Sequence, residues 1–436
     1  MNPQNLANLT MKPVKRNAFQ GNFFKPWLQT ILNPSHELYQ LAGQINWKFL
    51  EEEFSPLFVE DKGAPAKPVR LVIGLLMLQH MYGISDEGVV QGWIENPYWQ
   101  FFCGELLLQW DIPLDPSSLP RWRKRIGKSG MDKVLRETIK TALKTGTVNA
   151  RSLQKVIADT TVMEKNIAFP TDSKTQYKAI KHLVKMAKTH SIPLRQTYIH
   201  VGRKRLIKAG RYSHARQMKR AKKERDKIKT YLGRVFRDIK RQIEGNSFLQ
   251  TIFSEVLGIV EKLLAQTKDG KNKIYSLHEP HVECISKGKA HKKYEFGCKA
   301  SFVITHKEGL ALGAEALHGN PFDGHTLKGA LEIAEANSGV GIQQAFVDKG
   351  YKGHKIEDKT VMISGQKRGM TSWFKKQLKR RQAIEPHIGH MKSDGKLGRN
   401  FLKGKVGDQL NAVLCGIGHN LRMILRNLRE LSFAPS

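Results

Sequence analysis

Long apolar runs are missing from this 436-residue sequence, and acidic residues are scarce in it. The most apolar run, Leu71 to Leu78, ends at Gln79-His80, far short of the roughly 20 residues that cross a bilayer. Lys12, Lys15 and Arg16 are not followed by an apolar segment, so no secretory leader is expected. The four cysteines (Cys103, Cys284, Cys298, Cys415) are scattered, with no C-x-x-C spacing. That signals neither a disulfide framework nor a zinc site and suits a reducing cytoplasm. H-E-x-x-H is absent too, and His318 and His325, which flank a Gly-Asn-Pro turn, read as loop histidines. The expectation is a soluble cytoplasmic protein with no membrane partner.

The shortage of acids leaves a large positive excess. Lys and Arg number 73 against 39 Asp and Glu, a net charge of +34 with a pI near 10.0. Such an excess calls for a polyanion, nucleic acid before ribosomal or membrane surfaces. The charge is uneven. Between Lys174 and Glu244 there are 23 Lys/Arg and 4 Asp/Glu, 19 of the net +34. Ile180, Leu183, Val184 and Ala187 keep helical spacing there, as do Ile228, Tyr231, Leu232, Val235 and Ile239. Gly245-Asn246-Ser247 breaks the pattern, which resumes from Leu249 to Leu264. These stripes predict a helical insertion over 173–275 ending in an antiparallel hairpin. Its cations, Lys219, Arg220, Lys222 and Lys223 among them, suit phosphate tracking.

Residues 1–145 read as an all-helical domain. A Pro-rich segment, APAKP at 64–68, precedes helical spacing at Val72, Leu75 and Leu76. Ser85 is placed to cap a helix beginning Asp86-Glu87. Pro116-Ser117-Ser118 introduces a basic helix with Arg121, Arg123, Lys124 and Arg125, a candidate reader of DNA. Beyond the insertion, β-like blocks occur at 294–304 and 310–317, a helix at 324–337, strands at 343–348 and 360–364, and a helical region at 371–395. That order predicts an α/β domain over 146–436, a mixed sheet flanked by helices, with the basic insertion after its first strand.

Two apolar runs end in an acid: Val156-Ile157-Ala158 before Asp159, and Ala345-Phe346-Val347 before Asp348. Buried strands that deliver an acid at their tips read this way. A third acid, Glu385, stands between Arg381 and Lys392, offsets that place all three within roughly 40° of helical arc. Pro386 follows it directly, and so predicts a kink or the start of a second helix. Carboxylates with co-facial cations suit a site for metal and phosphodiester. Mg²⁺ prefers hard oxygen ligands, and two such ions can serve both the attacking and the leaving oxygen.

The segments D-K-G-Y at 348–351 and R-x(3)-E-x(6)-K at 381–392 resemble the DDE signatures of bacterial insertion-sequence transposases. The wording of 384–404 and of HGNPFDGHTL at 318–327 resembles the insertion-sequence-five group, and 71–105 resembles that group's N-terminal domain. The resemblance implies an RNase H-like core, with Asp159, Asp348 and Glu385 as catalytic ligands of two Mg²⁺ ions, Mn²⁺ substituting, and Arg381 and Lys392 on DNA. It implies cleavage of duplex DNA at element ends, joining of the freed 3′-OH to target DNA, a homodimer in the synaptic complex, and a bacterial nucleoid-associated setting. A metal-dependent nuclease without strand transfer, or a non-catalytic DNA-binding derivative, are the alternatives. One departure stands out: Leu378 occupies the position where the family's extended signature has Tyr.

Overall fold

The computed structural model describes residues 10–11, 25–59, 66–267, 270, 273–286, 293–365 and 371–433. The expectations that touch Lys12, Lys15 and Arg16, and Ala64 and Pro65 of the Pro-rich segment, lie outside the described residues. Contacts divide the chain into two compact units, Met1–Glu164 with Cys298–Ser436, and Lys165–Gly297.

The first unit begins with β1 (Thr10–Met11), α1 (Leu28–Ile31), α2 (Glu37–Gln44), α3 (Trp47–Phe54), β2 (Phe58–Val59) and α4 (Val69–Tyr82). It continues with α5 (Asp86–Glu95), α6 (Pro97–Phe102), α7 (Ser118–Lys144) and the sheet strand β3 (Lys155–Glu164). This region is helical as expected, apart from the two-residue parallel pair β1–β2. Helix α4 is buried on all sides from Leu71 to Met81, as its nearly unbroken apolar sequence requires. It ends at Gly83, whose φ of 68° is a left-handed cap. The Ser85 side chain accepts from the Gly88 N–H at 3.0 Å, the predicted N-cap of α5. Within α7, Gly127 leaves helical geometry (φ 67°, ψ −177°), separating the basic first turns from the rest.

The second unit holds α8 (Asp172–Thr189), α9 (Ile199–His214), α10 (Met218–Gln242), α11 (Ser247–Ala265) and β4 (Glu283–Ile285). The expected hairpin is therefore part of a four-helix arrangement, and α9 and β4 were not foreseen. The predicted stripes form its core: Ile180, Leu183, Ile228, Leu232, Ile239 and Phe253 are fully buried together. Asn246 starts α11, accepting from the Leu249 N–H at 3.0 Å. The few acids are used locally. Glu224 pairs with Arg205 at 3.1 Å and Asp238 with Arg241 at 2.9 Å.

Strand β5 (Glu295–Thr305) begins in the second unit, where Glu295–Gly297 pair with β4, and continues into the first. There follow β6 (Ala311–Leu317), α12 (Asp323–Ser338), β7 (Gln344–Val347), β8 (Thr360–Ile363), α13 (Ser372–Arg380), α14 (Ile384–Ser393) and α15 (Gly404–Phe433). In the first unit the strands run β5-β3-β7-β8 with β6 antiparallel on β5, and β3, β7 and β8 mutually parallel. A mixed sheet flanked by helices is thus present.

Pleating sorts its side chains. Val156, Ala158, Ala345 and Val347 join one core with Leu327 and Leu331 of α12. Ile157 and Phe346 join another with Ile384, Ile388 and Met391 of α14. α15 satisfies β6: the Asn420 amide exchanges two hydrogen bonds with Ala311, and Gln409 does so with Ala316. An otherwise open strand edge is closed by side-chain amides in this way. The expected boundary near residue 145 is not a boundary of packing, because α4, α7 and α15 share the first core.

Candidate active site

The β3–β7 register places the two aspartates. Val156 lies against Ala345 and Ile157 against Phe346, so carrying the register two residues on sets Asp159 beside Asp348. Alternation puts both on the face of Ile157 and Phe346, the face covered by α14. One expectation needs correcting. Asp159 is not at a strand tip, since β3 runs on to Glu164; it lies just past the parallel pairing with β7. Asp348 does follow its strand, and its carboxylate also accepts from the Gly350 N–H at 2.8 Å, capping a short 3₁₀ turn.

The predicted helical region over 371–395 is two helices joined by a 3₁₀ turn, Arg381–Ala383. Pro386 lies in the first turn of α14, where its missing N–H leaves no intrahelical bond unmade. The turn presents Arg381. Its guanidinium lies 3.9 Å from the Asp159 carboxylate and 3.6 Å from that of Glu385, its side chain only 12% exposed. Arg380, beside it, donates to the His306 carbonyl at 3.1 Å, tying the turn to the β5–β6 connection. Gly309 in that connection (φ 87°) leaves room for His387 of α14, which a Cβ would strike at 2.0 Å. Leu378 packs against the second core, so the Tyr of the related signature is replaced here by an apolar side chain. Lys392 is half-buried in the last turn of α14.

A fourth acid, Asp323, was not foreseen. It opens α12 and accepts from the Thr160 hydroxyl and the Lys299 ammonium, each at 3.0 Å. A Cβ built on Gly350 would lie 3.0 Å from Asp348 Oδ1 and 3.3 Å from Asp323 Oδ2, so these carboxylates share one pocket. Tyr351 reports the cluster. Its hydroxyl pKa is driven far up, first by burial and then by Asp159, Asp323 and Asp348 together, with Arg381 opposing. The only signal for Asp323 in the sequence was its place within HGNPFDGHTL. Among the described residues, the one group of three His, Cys, Asp or Glu donors lying within 4.8 Å of one another is elsewhere, at Cys298, His318 and Asp408.

The predicted DNA-contacting cations divide. Arg121 and Lys124 are exposed on α7, and Arg125 is half-buried over the Trp122 ring at 5.0 Å. Arg123 is corrected: it is 2% exposed and pairs with Asp86 and Gln79 inside the first unit. Burial pushes the Asp86 carboxyl up, but the hydrogen bonds from Arg123 and Gln79 and the positive charges of Arg123 and Lys396 together hold it below its usual value. In the second unit Lys219, Arg220, Lys222 and Lys223 are all exposed on α10. The same unit carries a cleft of about 850 Å³ lined by Arg195, Tyr198, Arg234, Arg237, Lys240 and Arg241. No helix among the described residues is long and apolar enough to cross a membrane.

Residues 27–125 match the family described as transposase domain (DUF772). A protein of Rhizobium meliloti described as uncharacterized protein ORF8 in the nfe locus is 44% identical over 207 residues, covering 48% of this chain and all of that protein. No solved structure matches.

Proposed function

The chain belongs to the family of that nfe-locus protein and carries a transposase domain, and on this premise we propose that it is a DDE transposase acting on double-stranded DNA. It cuts at the ends of an insertion sequence and joins the freed 3′-OH to target DNA. The observation that carries this reading is the alignment of Asp159 with Asp348 on the sheet face that α14 covers, with Arg381 linking Asp159 to Glu385. Hard carboxylate oxygens on one face of two adjacent parallel strands fit Mg²⁺, which keeps several waters and needs few protein ligands. Asp159, Asp348 and Glu385 are the residues that would hold two Mg²⁺ ions, with Mn²⁺ able to replace them. When bound, these ions supply activation of the attacking oxygen and charge stabilisation at the leaving one.

The protein's own groups do the positioning. Arg381 offers a planar fork to the scissile phosphate from the 3₁₀ turn, and Lys392 adds positive charge from the last turn of α14. Asp323, held by Thr160 and Lys299, fixes the wall of the pocket beside Asp348. Arg121 and Lys124 contact the element ends, while the cations of α10 neutralise DNA backbone. Two copies of the chain assemble the two ends, in the bacterial nucleoid.

The test is incubation with candidate terminal repeats and Mg²⁺, mapping the nick to the nucleotide and then supplying a 3′-OH end and a target duplex. Asp159→Asn, Asp348→Asn and Glu385→Gln should abolish cleavage while DNA binding stays within a few-fold. Near-native cleavage by any one of them removes that residue from the site. Cleavage without joined product converts the reading to a nuclease.

A further inference from the structure

The fold brings together three side chains with no part in that reading. Cys298 lies near the start of β5, His318 directly follows β6, and Asp408 stands in the first turns of α15. Their ligand atoms, one each, all fall within 4.8 Å of one another. His318 Nε2 is 3.6 Å from Asp408 Oδ2, close to the edge of a tetrahedron with bonds of about 2.0–2.3 Å. Cys298 and Asp408 are 2% and 5% exposed. The buried Asn400 donates its amide to Asp408 Oδ1 at 2.6 Å, fixing the carboxylate with Oδ2 towards the histidine. Asn400 is itself held, its N–H donating to the Glu164 carbonyl at 2.7 Å. A ligand set oriented by a locked amide is what tight metal sites use.

We propose that Cys298, His318 and Asp408 form a zinc site. One thiolate, one imidazole and one carboxylate suit a borderline-soft divalent ion better than Mg²⁺, which takes oxygen donors. Binding releases the Cys298 thiol proton to solvent and leaves one coordination position for water. The ion ties β5, the end of β6 and α15 together. It does so at His318, five residues before Asp323, and thereby anchors the connection that carries Asp323 into the carboxylate pocket. The site is independent of the transposase reading, and its test needs no DNA.

The experiment titrates the full chain, stripped of metal with a chelator, with Co²⁺ and then Zn²⁺. One Co²⁺ per chain should produce a thiolate-to-cobalt charge-transfer band, which one equivalent of Zn²⁺ removes. An ion on the Asp159, Asp348 and Glu385 carboxylates gives no such band, so the two sites are distinguished directly. Cys298→Ser should lose the band and Cys284→Ser keep it. Asn400→Ala, which leaves all three ligands in place, should weaken Zn²⁺ binding about 10- to 100-fold. A native protein without the thiolate band, or a band that survives in Cys298→Ser, overturns the proposal whether or not another variant folds.

Discussion

Arg381→Gln separates a phosphate-binding arginine from a structural one. The wild-type guanidinium faces two carboxylates, at 3.9 Å (Asp159) and 3.6 Å (Glu385). At an effective dielectric of about 20, a unit pair at such separations attracts by about 4 kcal/mol before solvent screening. The Glu385 side chain is 66% exposed, so that leg falls below about 1 kcal/mol. Asp159 is 20% exposed and retains the larger share. Folding stability should therefore show stronger coupling of Arg381 to Asp159 than to Glu385 in double-mutant cycles with Asp159→Asn and Glu385→Gln. For catalysis, losing a charge-assisted hydrogen bond to phosphate costs about 1.5–3 kcal/mol, or roughly 10- to 150-fold in rate. Single-turnover, Mg²⁺-dependent nicking of an end duplex measures this, with thermal melting run in parallel. Unchanged nicking together with a lowered melting temperature would falsify the phosphate role and leave Arg381 as an ion pair only.

Three other outcomes are expected. Arg123→Met should destabilise the chain by about 3–5 kcal/mol, because it strands Asp86 in a partly buried site; an unchanged urea midpoint with weakened DNA binding would instead restore Arg123 as a DNA contact. Reversing Lys219, Arg220, Lys222 and Lys223 to Glu should flatten the dependence of log K on log salt by roughly 0.9 for each phosphate no longer neutralised, while discrimination between cognate and random duplex changes little. His80 and His419 are fully buried, and that burial, first among the causes, pushes both down to about 3 from 6.5. The unfolded chain then binds more protons below pH 6.5, so the stability these groups contribute is intact above that pH and falls as pH drops towards 3. Together they should remove about 4 kcal/mol between pH 7 and pH 5, read from urea melts; His419→Gln should remove about half of that slope.

Local patterns were legible because local geometry produces them. The apolar runs before Asp159 and Asp348 announce buried strands, the stripes at Ile180–Ala187 and Ile228–Ile239 announce packed helices, and Ser85 announces a cap. In each case the cause lies within a few residues: a pleat of period two, a turn of 3.6 residues, or an unmet N–H at a helix start. The three acids could be named for that reason, and the resemblance joined them into one site. What the tertiary structure alone decided depends on which distant segments meet. Asp323 reaches the pocket beside Asp348 through the turn of α12 towards Thr160 and Lys299. Arg123, one cation in a basic run, is turned inward because Asp86 and Gln79 wait on neighbouring helices. Cys298, His318 and Asp408 have no motif spacing, since a strand, a strand end and a helix supply one donor each. Periodicity reports which face of an element is buried; the register of β3 on β7 and the packing of α12, α14 and α15 decide which side chains that burial brings within reach.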